Sequence, residues 1–170
     1  MSSKLTKTML FLSSYFPLFL IISVTQRSNW GYWHLTPLII GASSIFWLTG
    51  WLIWAKQKSP EELVVKKSKS KDSEVIAYII SYVLPMAGTK FSEFDGAITI
   101  TVFFIVIMIL NLNSNLVYIN PILNSIGYHL FEVELPSGND IMLITKSERL
   151  LVGQVISGKR VSESIYLGEQ

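Results

Sequence analysis

Chemistry needs ionisable or nucleophilic side chains within reach of one another, and this chain has few such groupings. It contains no cysteine and two histidines, His34 and His129. Without cysteine there is no disulfide, no thiolate metal site and no thiol nucleophile. Glu93 and Asp95 stand two residues apart, a pair that could coordinate a hard cation, although a solvated loop is the favoured reading. His129, Glu132 and Glu134 cluster in the tail. On a strand, the odd separation of His129 and Glu134 turns them to opposite faces. His34 has no second metal ligand nearby, and Gly127, Gly138, Gly153 and Gly158 are scattered turn glycines that form no phosphate loop. The expectation is a protein without catalysis, cofactor or metal.

The elements that hold these residues are sharply divided by polarity. Half of the 170 residues are apolar and 15% are charged, against about 25% charged in soluble domains. Residues 8–55 carry one formal charge, Arg27. Such segregation points to membrane spans with polar connections, not to a globular core under a charged surface.

A span needs roughly 20 apolar residues. Four stretches qualify, at about 8–25, 37–55, 75–91 and 97–112. The first follows Lys4 and Lys7 and contains Pro17; no small-x-small cleavage site follows it, which favours a retained span over a signal peptide. Pro37 fits a first helical turn. Trp47, Trp51 and Trp54 share one helical face of the second stretch, while Gly41, Ala42, Ser43, Ser44 and Gly50 permit close helix approach. The third stretch is short, with Pro85 and Gly88 near its end, so a re-entrant path stays open for it. No Asp, Glu, Arg or His lies inside these stretches, and the one lysine, Lys90, stands at the outer end of the third, which argues against a proton pump.

Loop charges then orient the chain. Lys4 and Lys7 precede the first stretch, and six lysines (56, 58, 66, 67, 69 and 71) lie between the second and third. The other two connections hold Arg27, and Lys90 offset by Glu93 and Asp95. The positive-inside rule places both termini in the cytoplasm. The lysine-rich loop is expected to be mobile and to lie against anionic headgroups. No aromatic residue interleaves its lysines, so nucleic-acid binding is not expected. Trp30, Tyr32 and Trp33 read as an interfacial aromatic belt.

The tail changes character. Tyr128 to Leu135 alternates apolar and polar residues, Pro136 to Asn139 makes a turn, and Asp140 to Thr145 completes a hairpin. Leu151 to Ile156, a turn at 157–160 and Val161 to Leu167 suggest a second hairpin. The expected fold is thus an all-α four-helix transmembrane bundle (1–115) carrying a small cytoplasmic β-rich domain (116–170) of four or five strands.

The layout resembles the KwaA family, the membrane subunits of the Kiwa antiphage defence system. The likeness in sequence lies at the junction Asn120-Pro121-Ile122-Leu123-Asn124-Ser125-Ile126-Gly127-Tyr128, leading into Phe131-Glu132-Val133. The resemblance implies a homo-oligomeric, tetrameric sensor in the bacterial inner membrane, whose tail holds a cytoplasmic DNA-binding effector, KwaB. On that reading the tail strands, with Tyr128, Leu130, Phe131, Val133, Ile141, Leu143 and Ile165, bind the partner. Trp30, Tyr32, Trp33, Glu93 and Asp95 lie in periplasmic sensing loops. The competing reading is a small oligomeric channel or transporter, lined by Ser13, Ser14, Ser43, Ser44, Thr49 and Ser81.

Overall fold

The computed structural model describes residues 4–27, 31–87, 94–113, 119–162 and 164–169. Helices α1 (Lys4–Ser14) and α2 (Phe16–Thr25) meet at a 49° bend, where Pro17 removes one helical N–H. A single 3-10 turn, Gly31–His34, leads into α3 (Leu35–Lys56). Two short strands follow, β1 (Pro60–Val64) and β2 (Lys67–Ser70), and then α4 (Asp72–Ala87) and α5 (Phe94–Asn113). A one-turn helix, α6 (Pro121–Ser125), precedes β3 (His129–Glu134), β4 (Asp140–Thr145), β5 (Val155–Ser162) and β6 (Ile165–Gly168).

The strands form one sheet in the order β1-β5-β6-β4-β3-β2. All neighbours are antiparallel except β4 and β6. Its opposite edges, β1 and β2, are consecutive in the chain, with only Val65 and Lys66 between them. The sheet must therefore curl until its two edges almost meet. At the kink Val65 N–H donates to Gln154 O (2.9 Å), Gly153 N–H to Val65 O (2.7 Å) and Lys66 N–H to Glu134 O (2.9 Å).

Curling gives the sheet two buried faces. Phe131, Val133, Ile141, Leu143 and Tyr166 alternate inward and meet Leu63, Val65, Leu150 and Ile156 inside the curl. Their neighbours in sequence, Leu130, Ile144, Ile165 and Leu167, point the other way and pack on Leu10, Leu48, Trp51, Ala55, Val75 and Leu123 of the helices. A third cluster lies between helices, where Phe104 of α5 meets the rings of Phe11, Tyr15 and Phe19 at 5.0–5.5 Å. Gly41 lets α3 approach α2: a Cβ there would stand 2.8 Å from the Phe16 ring.

This architecture corrects the expected fold class. The protein is mixed α/β, with a six-stranded curled sheet, and not an all-α four-helix transmembrane bundle with a separate tail. Among the described residues one helix, Gly31–Lys56, is long and apolar enough to cross a membrane, or two if the bent pair of α1 and α2 counts as one span. Of the third and fourth stretches, residues 88–93 lie outside the described residues, as do the side chains of 81–97. The lysine-rich segment, expected to be a mobile loop, supplies both sheet edges. Backbone hydrogen bonding to β3 recruits Lys-Ser-Lys-Ser without any apolar side chain, and β1 pairs with β5. In the second expected hairpin, 151–154 is a turn with Gly153 at φ +83°, and 157–160 is the middle of β5.

Candidate functional site

The expected partner-binding side chains are interior. Tyr128, Leu130 and Ile165 face the helices, and Phe131, Val133, Ile141 and Leu143 fill the curl; none is more than 7% exposed. They hold the sheet together and onto the helices. Of the expected sensing residues, Tyr32 and Trp33 are 92% and 77% exposed on the 3-10 turn. Trp30 and Glu93 lie outside the described residues. Asp95 stands in the first turn of α5, and nothing is described of its side chain. The expected tryptophan stripe divides, with Trp51 buried and Trp47 and Trp54 about half exposed.

What the fold builds is a polar seam joining helices to sheet. Asn120 caps α6, its Oδ1 accepting from Ile122 N–H at 2.9 Å. Its Nδ2 donates to Ser13 Oγ (2.8 Å) and Leu10 O (3.3 Å) of α1. At the other end of α6, Asn124 Nδ2 donates to Asp72 Oδ1 (3.4 Å) at the start of α4. Asp72 also accepts from Leu130 N–H (3.3 Å) and lies 2.8 Å from His129 Nδ1. Asp72 and His129 thus clamp α4 to β3. A carboxylate also suits the positive end of a helix dipole there.

The β2 edge is fastened by charge. Lys71 Nζ bonds Glu74 (2.8 Å) and reaches Glu132 (3.2 Å), and the hydrogen bond to Glu74 is the first cause raising its pKa above the ordinary value. The Lys66 ammonium, paired with Glu134, holds that carboxyl below its usual range. For the lysine, stability is present below pH about 10.5 and lost as pH rises through the raised value. For the glutamate, it is present above pH about 4.5 and lost as pH falls through the lowered value. Protection of the β2 amides, taken relative to their intrinsic exchange rates at each pH, should therefore be highest between these limits and fall beyond each. A flat profile at either end would refute that pair's role.

A feature missed in the sequence reading lies at the kink. Leu151, Val152 and Val155 are 58–74% exposed, and Val64 is the register partner of Val155. The tight turn closed by Gln154 N–H to Leu151 O (3.1 Å) pushes these side chains outward. The signal was available: Leu151 and Val152 stand directly before a glycine, apolar residues where a turn leaves no interior for them.

Ser13, Ser14 and Ser44, expected in a pore, are buried and donate to carbonyls of their own helices. Ser43 and Thr49 do likewise from exposed positions. Ser81 is among the side chains not described.

No curated protein and no solved structure matches the chain. A family model described as anti-phage protein KwaA matches residues 6–167, from the first turn of α1 to β6. The chain belongs to the KwaA family of anti-phage proteins.

Proposed function

We propose that this anti-phage protein is a non-catalytic membrane sensor and scaffold, assembled from several copies of itself, that holds a cytoplasmic DNA-binding effector resembling KwaB at the bacterial inner membrane. The observation that carries the reading is the outward face of α3. Ile39, Phe46 and Ile53, seven residues apart, are all more than half exposed, with Ile40, Trp47 and Trp54 beside them. A helix of 22 residues is about 33 Å long, which matches a hydrocarbon core of ~30 Å. A continuous apolar stripe of that length is costly in water and favourable in lipid.

The sheet adds a topological constraint. β1 and β2 precede α4 and α5, while β3–β6 follow them, and all share one sheet. Both parts therefore lie on one side of the bilayer, and α4 with α5 crosses it an even number of times, zero included. The lysines of that segment favour the cytoplasmic side. The exposed patch of Val64, Leu151, Val152 and Val155 is then presented to the cytoplasm, where an effector would dock.

The double variant Leu151→Asp with Val152→Asp should keep the protein in carbonate-washed membranes. It should lower copurification of the co-expressed effector on the order of tenfold or more, as expected for a charged centre in an apolar interface. Undiminished copurification would remove the patch from the interface.

A further inference from the structure

Where α3 ends and the sheet begins, a cleft of about 250 Å³ opens, lined by Lys56, Tyr128, Lys146, Lys159, Gly168 and Glu169. Three parts of the chain far apart in sequence bring three ammonium groups to it. Lys159 is already engaged: it pairs with Glu169 and donates to the Lys56 carbonyl, one of the last of α3 and without a helical partner. Lys146 lies over the Tyr128 ring, 5.4 Å from its centre. Among the described residues neither Lys56 nor Lys146 has a carboxylate within ion-pair distance. Three cations against Glu169 leave the cleft with a net charge of +2.

Size and position narrow the anion. The cleft falls below the roughly 300–1,000 Å³ of sites for drug-sized organic ligands, so it suits a small anionic group and not a nucleotide. Trp54, with Lys58 4.5 Å above its ring, marks where an inserted α3 would meet water. Lys56 lies two residues further on, which sets the cleft at headgroup depth. We propose that it binds the phosphate headgroup of an anionic phospholipid in the cytoplasmic leaflet; this rests on the membrane reading above. A lysine pocket at the cytoplasmic end of a spanning helix is placed for that chemistry.

The full chain in detergent, offered phosphatidylglycerol or phosphatidylcholine and examined by native mass spectrometry, tests this. Wild type should retain phosphatidylglycerol preferentially. Lys56→Gln with Lys146→Gln should weaken that retention on the order of 30-fold, about fivefold per lysine. Lys67→Gln with Lys69→Gln removes the same charge from β2 and should change it by less than about twofold. Equal losses in both double variants, or none in the first, would overturn the site. Displacement of the lipid by millimolar inorganic phosphate would overturn the lipid as its ligand in favour of free phosphate. Release of wild type from membranes by carbonate would instead overturn the membrane reading, whatever the cleft retains.

Discussion

Replacing Phe131 by alanine is expected to destabilise the sheet by about 3–5 kcal/mol, the cost of removing a buried ring from a packed core. The ring is 4% exposed and sits inside the curl with Leu63, Val65, Leu143, Ile156 and Tyr166. Those neighbours come from β1, the kink, β4, β5 and β6, so no single element can relax to fill the space. Domain stabilities are commonly 5–15 kcal/mol, so a loss of this size consumes much of what holds β1 and β2 against the rest. Hydrogen exchange across β1–β6 should accelerate together, and effector copurification should fall with it. Phe131→Leu, which keeps most of the volume, should cost less than about 1.5 kcal/mol. If Phe131→Ala leaves exchange unchanged, the inner face is not a cooperative core. The comparison with Leu151, exposed and outside that core, separates the two roles. A change at Leu151 should weaken docking without accelerating exchange.

Asn120→Ala is expected to cost about 2–4 kcal/mol, adding a lost helix cap of ~1 kcal/mol to two lost hydrogen bonds at a buried site. Asn120 is 2% exposed, with its amide nitrogen toward Ser13 and Leu10 and its oxygen toward Ile122 N–H. Asn120→Asp discriminates between the two functions of the side chain. It keeps the cap, but turns an acceptor toward the Leu10 carbonyl, so the α1 connection should be lost while α6 stays formed. A double-mutant cycle with Ser13→Ala should return a coupling of roughly 0.5–1.5 kcal/mol. Zero coupling would mean that the contact between α1 and α6 carries no energy. In the sensor reading this seam is the polar connection from the first helix to the sheet. Anti-phage protection by Asn120→Asp should then fall further than its thermal stability does.

Much was legible in the residues themselves. The segregation of charge set out the apolar helices, and α3 follows the expected stretch from Pro37 to Ala55 closely because a helix satisfies the backbone of nineteen uncharged, mostly apolar residues internally. The first tail hairpin was also readable, since the alternation from Tyr128 to Leu135, interrupted only at Leu130-Phe131, and the Pro-Ser-Gly-Asn turn are local signals. The junction from Asn120 to Tyr128 carried the family resemblance. In the structure it contains the cap, the one-turn helix and the turn that leads into β3.

Tertiary structure decided the remainder. β1 and β2 contain Glu-Glu-Leu and Lys-Ser-Lys-Ser, sequences in which Leu63 is the one apolar side chain and which read as a loop. They become strands because β5 and β3, some 60–100 positions away, offer unpaired backbone groups, and a ladder hydrogen bond does not depend on the side chain. The same pairing reverses the expected roles of the tail. Alternation in β3 and β4 marked one buried face correctly, but could not reveal that helices cover the other. Tyr128, Phe131 and Leu143 therefore became core and could not serve as a docking surface. Leu151 and Val152 acquired their positions from a tight turn, and the three lysines of the cleft from a helix end, the residue after β4 and the middle of β5, which no local pattern brings together. The apolar character of each helix was written in the chain; which faces remain outside was fixed only when the distant strands closed around one another.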